Sequence, residues 1–380
     1  MFDRIPLSEP SIGGNAARYV QESLDSTYVS SVGPFVDRLE REFARWVGSR
    51  HAVACASGTA AIHVALRLLG VGPGDEVFVS TLTFVASANP ILYERATPVL
   101  VDSEAETWNL DPTLIAGEID RRARAGLRQP KAIVAAHILG HPAGLEPILE
   151  ACGQHGVALV EDAAEALGAR FSAGRLAGRQ VGTVGLLGCF SFNGNKVMTT
   201  GGGGMITTED EALARRARHL TRQAKLPGAE YRHDEVGFNY RLTNLAAALG
   251  VAQLEQLPEF LARKREIAGR YDAALRGRAG LTLPPRAPWA VPSDWLYSVL
   301  VDPAAFGEDR EALHERLSAR SIETRPIWTP LHLMPMFREA PRLGGAVAEG
   351  LFGRGLSLPC STGLSPRDQE RVIREVTSVS

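Results

Sequence analysis

The sequence predicts an α/β protein in which a large domain, built on a mostly parallel sheet with helices on both faces, precedes a smaller α+β domain. Strand-like and helix-like stretches alternate from residue 52 to residue 160. A chain of 380 residues exceeds what one core usually supports, and residues 281–292, with four prolines, read as a linker. The expected domains are 1–275 and 276–380.

Phe35, Leu39, Phe43 and Trp46 recur at helical spacing, so residues 35–47 read as an amphipathic helix ended by Gly48. Residues 52–56 follow as a short buried strand, Ser57-Gly58-Thr59 as a turn, and 60–69 as a helix. A hydroxyl and unpaired backbone N–H groups at a helix start favour an anion such as phosphate. Serine and threonine are also ordinary helix N-caps, so both uses stay open. Strands at 76–81, 98–101, 132–136 and 157–160 come next, spaced by helices at 84–93, 112–125 and 145–155. Crossovers of that length are right-handed and leave the strands parallel, with ligands collecting at their carboxyl ends. Ser57-Gly58-Thr59, Thr83-Phe84, His137, Glu161-Asp162 and Ser191 all fall at such ends.

Residues 186–192 read as a further buried strand, Gly201-Gly202-Gly203-Gly204 deny regular structure, and 205–208 resume an extended pattern. Residues 209–224 read as a helix whose arginines make a solvated face. A long helical stretch over 242–275, carrying Leu245, Leu249, Leu254, Leu257 and Leu261, is expected to break at Pro258 and to lead to the smaller domain. A strand at 295–301 and a helix at 310–320 belong to that domain.

Composition excludes several classes of function. A formal net charge of -2, with no basic block, argues against a nucleic-acid partner. No apolar run reaches the ~18 residues of a membrane span and the first residues do not resemble a leader, so a cytoplasmic protein is expected. Cys55, Cys152, Cys189 and Cys360 are far apart in apolar surroundings, which suits reduced core thiols. His137 and His141 are four apart without the carboxylate of a zinc-protease motif, and no metal is expected. Neither a dinucleotide fingerprint nor a Walker loop is present.

The remaining clusters suggest a different cofactor. Lys196 lies in the break before the four glycines, where it is either a solvated loop lysine or, pressed into low-dielectric surroundings, a nucleophile. Asp162 either caps a helix or faces a basic ring nitrogen and keeps it protonated. Pyridoxal phosphate needs that partner, because the protonated ring draws in electrons when a Cα–H bond breaks. It also needs a Schiff-base lysine, a phosphate cup and a flat surface against the ring. Lys196, Ser57-Gly58-Thr59 with Ser191, and Phe84 meet those needs.

With these residues in place, the chain resembles the DegT/DnrJ/EryC1/StrS sugar-nucleotide aminotransferases over nearly its whole length. The resemblance rests on Ser57-Gly58-Thr59-Ala60-Ala61, Glu161-Asp162-Ala163-Ala164-Glu165, Ser191-Phe192-Asn193-Gly194-Asn195-Lys196 and Gly237-Phe238-Asn239-Tyr240-Arg241. It implies the fold of type I pyridoxal-phosphate enzymes, with a seven-stranded sheet. It also implies that Lys196 binds the cofactor aldehyde and carries the proton, Asp162 pairs with the ring nitrogen, and Glu165 approaches the ring hydroxyl. Gly58, Thr59 and Ser191 would hold phosphate, Phe84 would stack on the ring, and Asn239 would reach the cofactor of a second subunit in a homodimer. Arg241, Arg325, Trp328 and His332 are implied to face a nucleotide-sugar, with L-glutamate as amino donor. Arg325 and His332 on their own could equally be surface residues.

Within the family, Tyr28-Val29-Ser30-Ser31-Val32-Gly33, residues 191–204 and His233-Asp234-Glu235 resemble the branch that makes UDP-4-amino-4,6-dideoxy-N-acetylglucosamine for bacillosamine or legionaminic acid. A GDP-perosamine-type or 3-keto-sugar enzyme is the alternative, as is a non-enzymatic binding protein. Related proteins with histidine at the lysine position remove a sugar hydroxyl; Lys196 favours transamination.

Overall fold

The computed structural model describes residues 3–378. Helices α1 (Ala16–Asp25) and α2 (Pro34–Val47) lead into β1 (His51–Cys55), α3 (Gly58–Leu68) and β2 (Glu76–Ser80). Then come α4 (Asn89–Tyr93), β3 (Thr97–Val101), α5 (Pro112–Arg124), β4 (Ala132–Ala136), α6 (Glu146–His155) and β5 (Ala158–Asp162). The middle of the chain holds β6 (Arg170–Phe171), β7 (Leu187–Ser191), β8 (Gly204–Thr208), α7 (Glu211–Thr221) and α8 (Asn244–Leu275). The last part holds β9 (Leu281–Thr282), β10 (Ala290–Val291), β11 (Tyr297–Val301), α9 (Pro303–Phe306), α10 (Arg310–Ala319) and β12 (Arg325–Pro326). It ends with β13 (Arg342–Leu343), α11 (Ala346–Arg354), β14 (Gly355–Leu358) and α12 (Pro366–Thr377).

The main sheet has the order β1-β8-β7-β5-β4-β2-β3-β13. From β7 to β13 every pairing is parallel, whereas β8 runs antiparallel to both β7 and β1. Alternate residues of each strand feed opposite cores: Phe78, Ile133 and Leu159 pack with α2, α5, α6 and α8, while Val77, Val79, Val134 and Val160 pack with α3 and α7. Each such side chain contributes about 1.5–3 kcal/mol by leaving water. Burial on both faces explains why the strands are near-continuous apolar runs. It also leaves only the strand ends free for polar residues. A separate antiparallel sheet has the order β12-β14-β11-β9.

Several elements differ from the sequence expectations. The main sheet has eight strands rather than seven, because Arg342 and Leu343 add to the edge of β3 from late in the chain. The expected helix over 84–93 is a 3-10 turn at Val85–Ser87 followed by short α4, with Pro90 near its start. A proline there has no N–H to continue the preceding turn. Pro258 does not break α8, which runs unbroken for 32 residues. The helix lies against α1 and α2, and that packing outweighs the one hydrogen bond lost. The proline-rich stretch is pinned at two places: β9 pairs with β11, and β10 pairs with β6. The four cysteines are free and buried.

Candidate active site

Strand β5 carries the acidic cluster further into the sheet than periodicity indicates, with Glu161 and Asp162 as its last two residues. Alternation sends them to opposite sides. Glu161 is fully buried and accepts from the backbone N–H groups of Gly182, Val184 and Gly185 at 2.6–2.8 Å. His137 Nε2 completes its shell at 3.0 Å, and His137 Nδ1 accepts from the Ala143 N–H at 2.9 Å. That arrangement puts the imidazole proton on Nε2. Burial pushes the Glu161 carboxyl up, but His137 and the N–H groups of Gly185 and Gly182 together hold it below its ordinary value.

Asp162 faces a cavity of about 390 Å³ at the carboxyl end of the sheet. No helix follows it, so the N-cap alternative is not realised. Its Oδ1 accepts from the Ala164 N–H at 3.1 Å and its Oδ2 from the Ser87 hydroxyl at 2.6 Å. Three residues on, Glu165 accepts from the Leu139 N–H at 2.8 Å and lies 4.0 Å from Lys196 Nζ. Lys196 sits between β7 and β8 with its side chain 13% exposed, and its Nζ lies 3.9 Å from the centroid of the Trp295 ring. Burial pushes the lysine pKa down, while Glu165 and Asp162 partly restore it. Burial pushes the Glu165 pKa up, against the pull of Lys196. Both directions favour a neutral amine, which is the nucleophilic form.

Opposite lies the start of α3. The Ser57 hydroxyl is spent on capping, accepting from Ala60 N–H at 3.0 Å, so the N-cap alternative holds for that oxygen. Gly58 and Thr59 then open the helix, where the first N–H groups have no intrahelical acceptor. A Cβ on Gly58 would stand 2.8 Å from Ser191 Cβ, so glycine is what lets the helix start approach the end of β7. Phe84, 56% exposed, lines the same cavity, and its ring centroid is 5.8 Å from that of Trp328. The cavity thus joins a buried amine, a carboxylate, a helix N-terminus with hydroxyls and an aromatic face. That donor set fits pyridoxal phosphate.

Ser57, Gly58, Thr59, Phe84, Asp162, Glu165, Ser191, Lys196 and Trp328 all line this cavity. Four other sequence candidates do not. Arg325 lines an adjoining groove of about 490 Å³, which shares Asn195 and Trp328 with the first cavity. Asn239 is exposed and makes a β-bridge with Arg222, and Arg241 bridges Cys55 at the end of β1. His332 is buried instead of facing a ligand: its Nδ1 is 2.7 Å from Thr81 Oγ1 and its Nε2 is 3.0 Å from Glu349. A ring held by both nitrogens has no atom left for a substrate. Conversely, Ser87 and Trp295 line the cavity but escaped the sequence reading, Asn195 entered it only within the Lys196 motif, and His137 only as a strand-end residue. Ser87 was hidden inside the expected helix at 84–93, and Trp295 looked like a strand residue.

The comparisons with known proteins decide the family. Residues 10–377 match the model of the DegT/DnrJ/EryC1/StrS aminotransferase family. The chain belongs to that family. It is 42% identical over 377 residues to the "Putative pyridoxal phosphate-dependent aminotransferase EpsN" of Bacillus subtilis, covering 98% of this chain and 95% of that protein. It is 41% identical over 378 residues to GDP-perosamine synthase of Caulobacter vibrioides, covering 99% of this chain and 98% of the relative. Among solved structures, the aminotransferase TlmJ of Streptoalloteichus hindustanus superposes with a TM-score of 0.88 at 33% identity, over 99% of this chain and 98% of its own. This member of the DegT/DnrJ/EryC1/StrS family is therefore a pyridoxal-phosphate-dependent sugar aminotransferase of the type I fold. Among the described residues no helix is long and apolar enough to cross a membrane.

Proposed function

We propose that the enzyme moves the amino group of L-glutamate to C4 of a nucleotide-linked 4-keto-6-deoxyhexose, with the UDP-linked N-acetylhexosamine as first substrate. The observation that carries the reading is the meeting of Lys196, Glu165 and Asp162 in one cavity that shares Asn195 and Trp328 with the Arg325 groove. When bound, pyridoxal phosphate supplies the electron sink for the broken C–H bond. Lys196 holds its aldehyde end and moves a proton at Nζ, which burial keeps able to accept one. Asp162 holds the ring nitrogen, and Glu165 orients the ring from the lysine side. Gly58, Thr59 and Ser191 hold the phosphate, joined by Asn239 of a second copy in a homodimer. Phe84 covers the ring. Trp328 lines both the cavity and the groove, where Arg325 offers a planar fork that suits a diphosphate. Arg241 lies at the end of β1, and in the homodimer it would face the substrate of the other copy.

GDP-4-keto-6-deoxymannose is the second substrate reading. Relatives named GDP-perosamine synthase, from Caulobacter vibrioides at 41% identity and Escherichia coli at 39%, favour it. The test is to assay both keto-sugars side by side with glutamate and follow the amino-sugar product by mass. Faster turnover of the UDP substrate supports the first reading, and faster turnover of the GDP substrate replaces it with the second. A protein that takes up pyridoxal phosphate but aminates neither would overturn both.

A further inference from the structure

We propose that Ser87 and Thr83 form a directed hydroxyl relay that positions Asp162 against the cofactor ring, which makes Ser87 a positioning residue for the transamination. The inference rests on the assignment of Asp162 to the ring nitrogen. Ser87 Oγ lies 2.6 Å from Asp162 Oδ2, and Thr83 Oγ1 lies 2.6 Å from Ser87 Oγ. An ionised carboxylate can only accept, so the Ser87 proton points at Asp162. Ser87 must then accept from Thr83, and both hydrogens run one way along the chain. Hydroxyls aligned in series polarise one another, which strengthens the last bond of the row.

The relay is buried and locally held. Ser87 is 1% exposed and Thr83 2%. Thr83 has φ of 156°, a conformation threonine seldom adopts, and its Oγ1 accepts from the Phe84 N–H at 3.1 Å. Strain of this kind persists only where surrounding contacts enforce it. One short turn therefore places both Phe84 and the hydroxyl that fixes the carboxylate. With Ser87 on Oδ2 and Ala164 N–H on Oδ1, the Asp162 carboxylate cannot rotate, yet each oxygen keeps a free lone pair. The other charged or titratable groups around it are Glu165, Lys196 and Cys189, together with His137, which lines the same cavity and pairs with the neighbouring Glu161.

The test compares holoenzymes carrying Ser87→Ala, Ser87→Thr and Thr83→Val with the parent protein. Two readouts are followed: the long-wavelength absorption of bound cofactor against pH, and the separate kcat and KM of the keto-sugar reaction. Losing a hydrogen bond to a charged group should lower kcat of Ser87→Ala by about tenfold or more. Its KM should stay within about twofold, and its absorption midpoint should move by about one pH unit. Ser87→Thr should restore both, and Thr83→Val should shift both in the same direction by less. An absorption midpoint that stays with the parent in Ser87→Ala, while only thermal stability falls, would overturn the relay. If Ser87→Ala fails to fold, an unchanged midpoint in Thr83→Val does the same. A parent protein that takes up no cofactor sinks the assignment of Asp162 and not the relay alone.

Discussion

The Nζ atom of Lys196 lies over the Trp295 ring, and the same indole donates through Nε1 to the carbonyl of Asn195 at 2.7 Å. Its own carbonyl accepts from Lys264 Nζ, a buried amine on α8, at 2.9 Å. Trp295 is thus held at both ends while its face supports the reacting amine. Trp295→Phe keeps a ring but leaves the Asn195 carbonyl with the Ser8 hydroxyl, at 3.1 Å, in place of two donors, which should cost about 0.5–1.5 kcal/mol in urea unfolding. Trp295→Ala should cost about 3–5 kcal/mol and speed cofactor loss on dialysis. Equal unfolding midpoints for parent and Trp295→Phe would show that the Asn195 contact contributes nothing.

Lys196 should destabilise the apoprotein that it makes active. Burial lowers its pKa below the ordinary 10.5, so between the lowered value and 10.5 the unfolded chain binds a proton that the native chain does not. Stability of the apoprotein therefore rises with pH across that window. Replacing the amine with an apolar chain of similar length removes both the burial cost and the slope. Lys196→Met should melt higher than the parent as apoprotein at neutral pH, show a flatter alkaline limb, and have no aminotransferase activity. Melting at or below the parent at every pH would contradict this.

Glu161 works in the opposite sense. Its carboxyl is held below the ordinary 4.5 by His137 and backbone donors, so its contribution is present above 4.5 and is lost as pH falls through the lowered native value. Glu161→Gln brings an amide N–H₂ against donors that need an acceptor, and should cost about 3–5 kcal/mol at neutral pH. Thermal melts in the acid range should show a shallower pH dependence for the variant than for the parent. Parallel acid limbs would mean that other carboxylates set the acid stability.

Much of this architecture can be read from the chain because the strands are buried on both faces. That burial compresses strand signals into short apolar runs and forces Asp162, Ser191 and the Ser57 turn to the strand ends. The main parallel strands and the strand-end part of the cavity lining follow from that. What could not be read depends on contacts far apart in sequence. His332 becomes a packed residue because Thr81 and Glu349 reach it from positions 251 and 17 residues away. Trp295 joins the cavity through contacts with Asn195, 100 residues earlier, and with Lys196 beside it. Pro258 looks like a breaker until α1 and α2 are laid against α8. Ser87 needed the 3-10 turn, which a helical reading of 84–93 conceals.

The proposed sharing of the site between two copies can be tested without a structure of the dimer. Asn239 is exposed and absent from the lining of its own cavity, which leaves its side chain available to a neighbour. Asn239→Asp would set a carboxylate against the phosphate, and Lys196→Ala removes the reacting amine, so each variant alone should be inactive. Random pairing of the two makes half the dimers mixed, and each mixed dimer rebuilds one complete site from Lys196 of one copy and Asn239 of the other. Co-expression should therefore recover about a quarter of the parent activity per site. If Asn239 serves the cavity of its own chain, both sites of a mixed dimer stay defective and no activity returns.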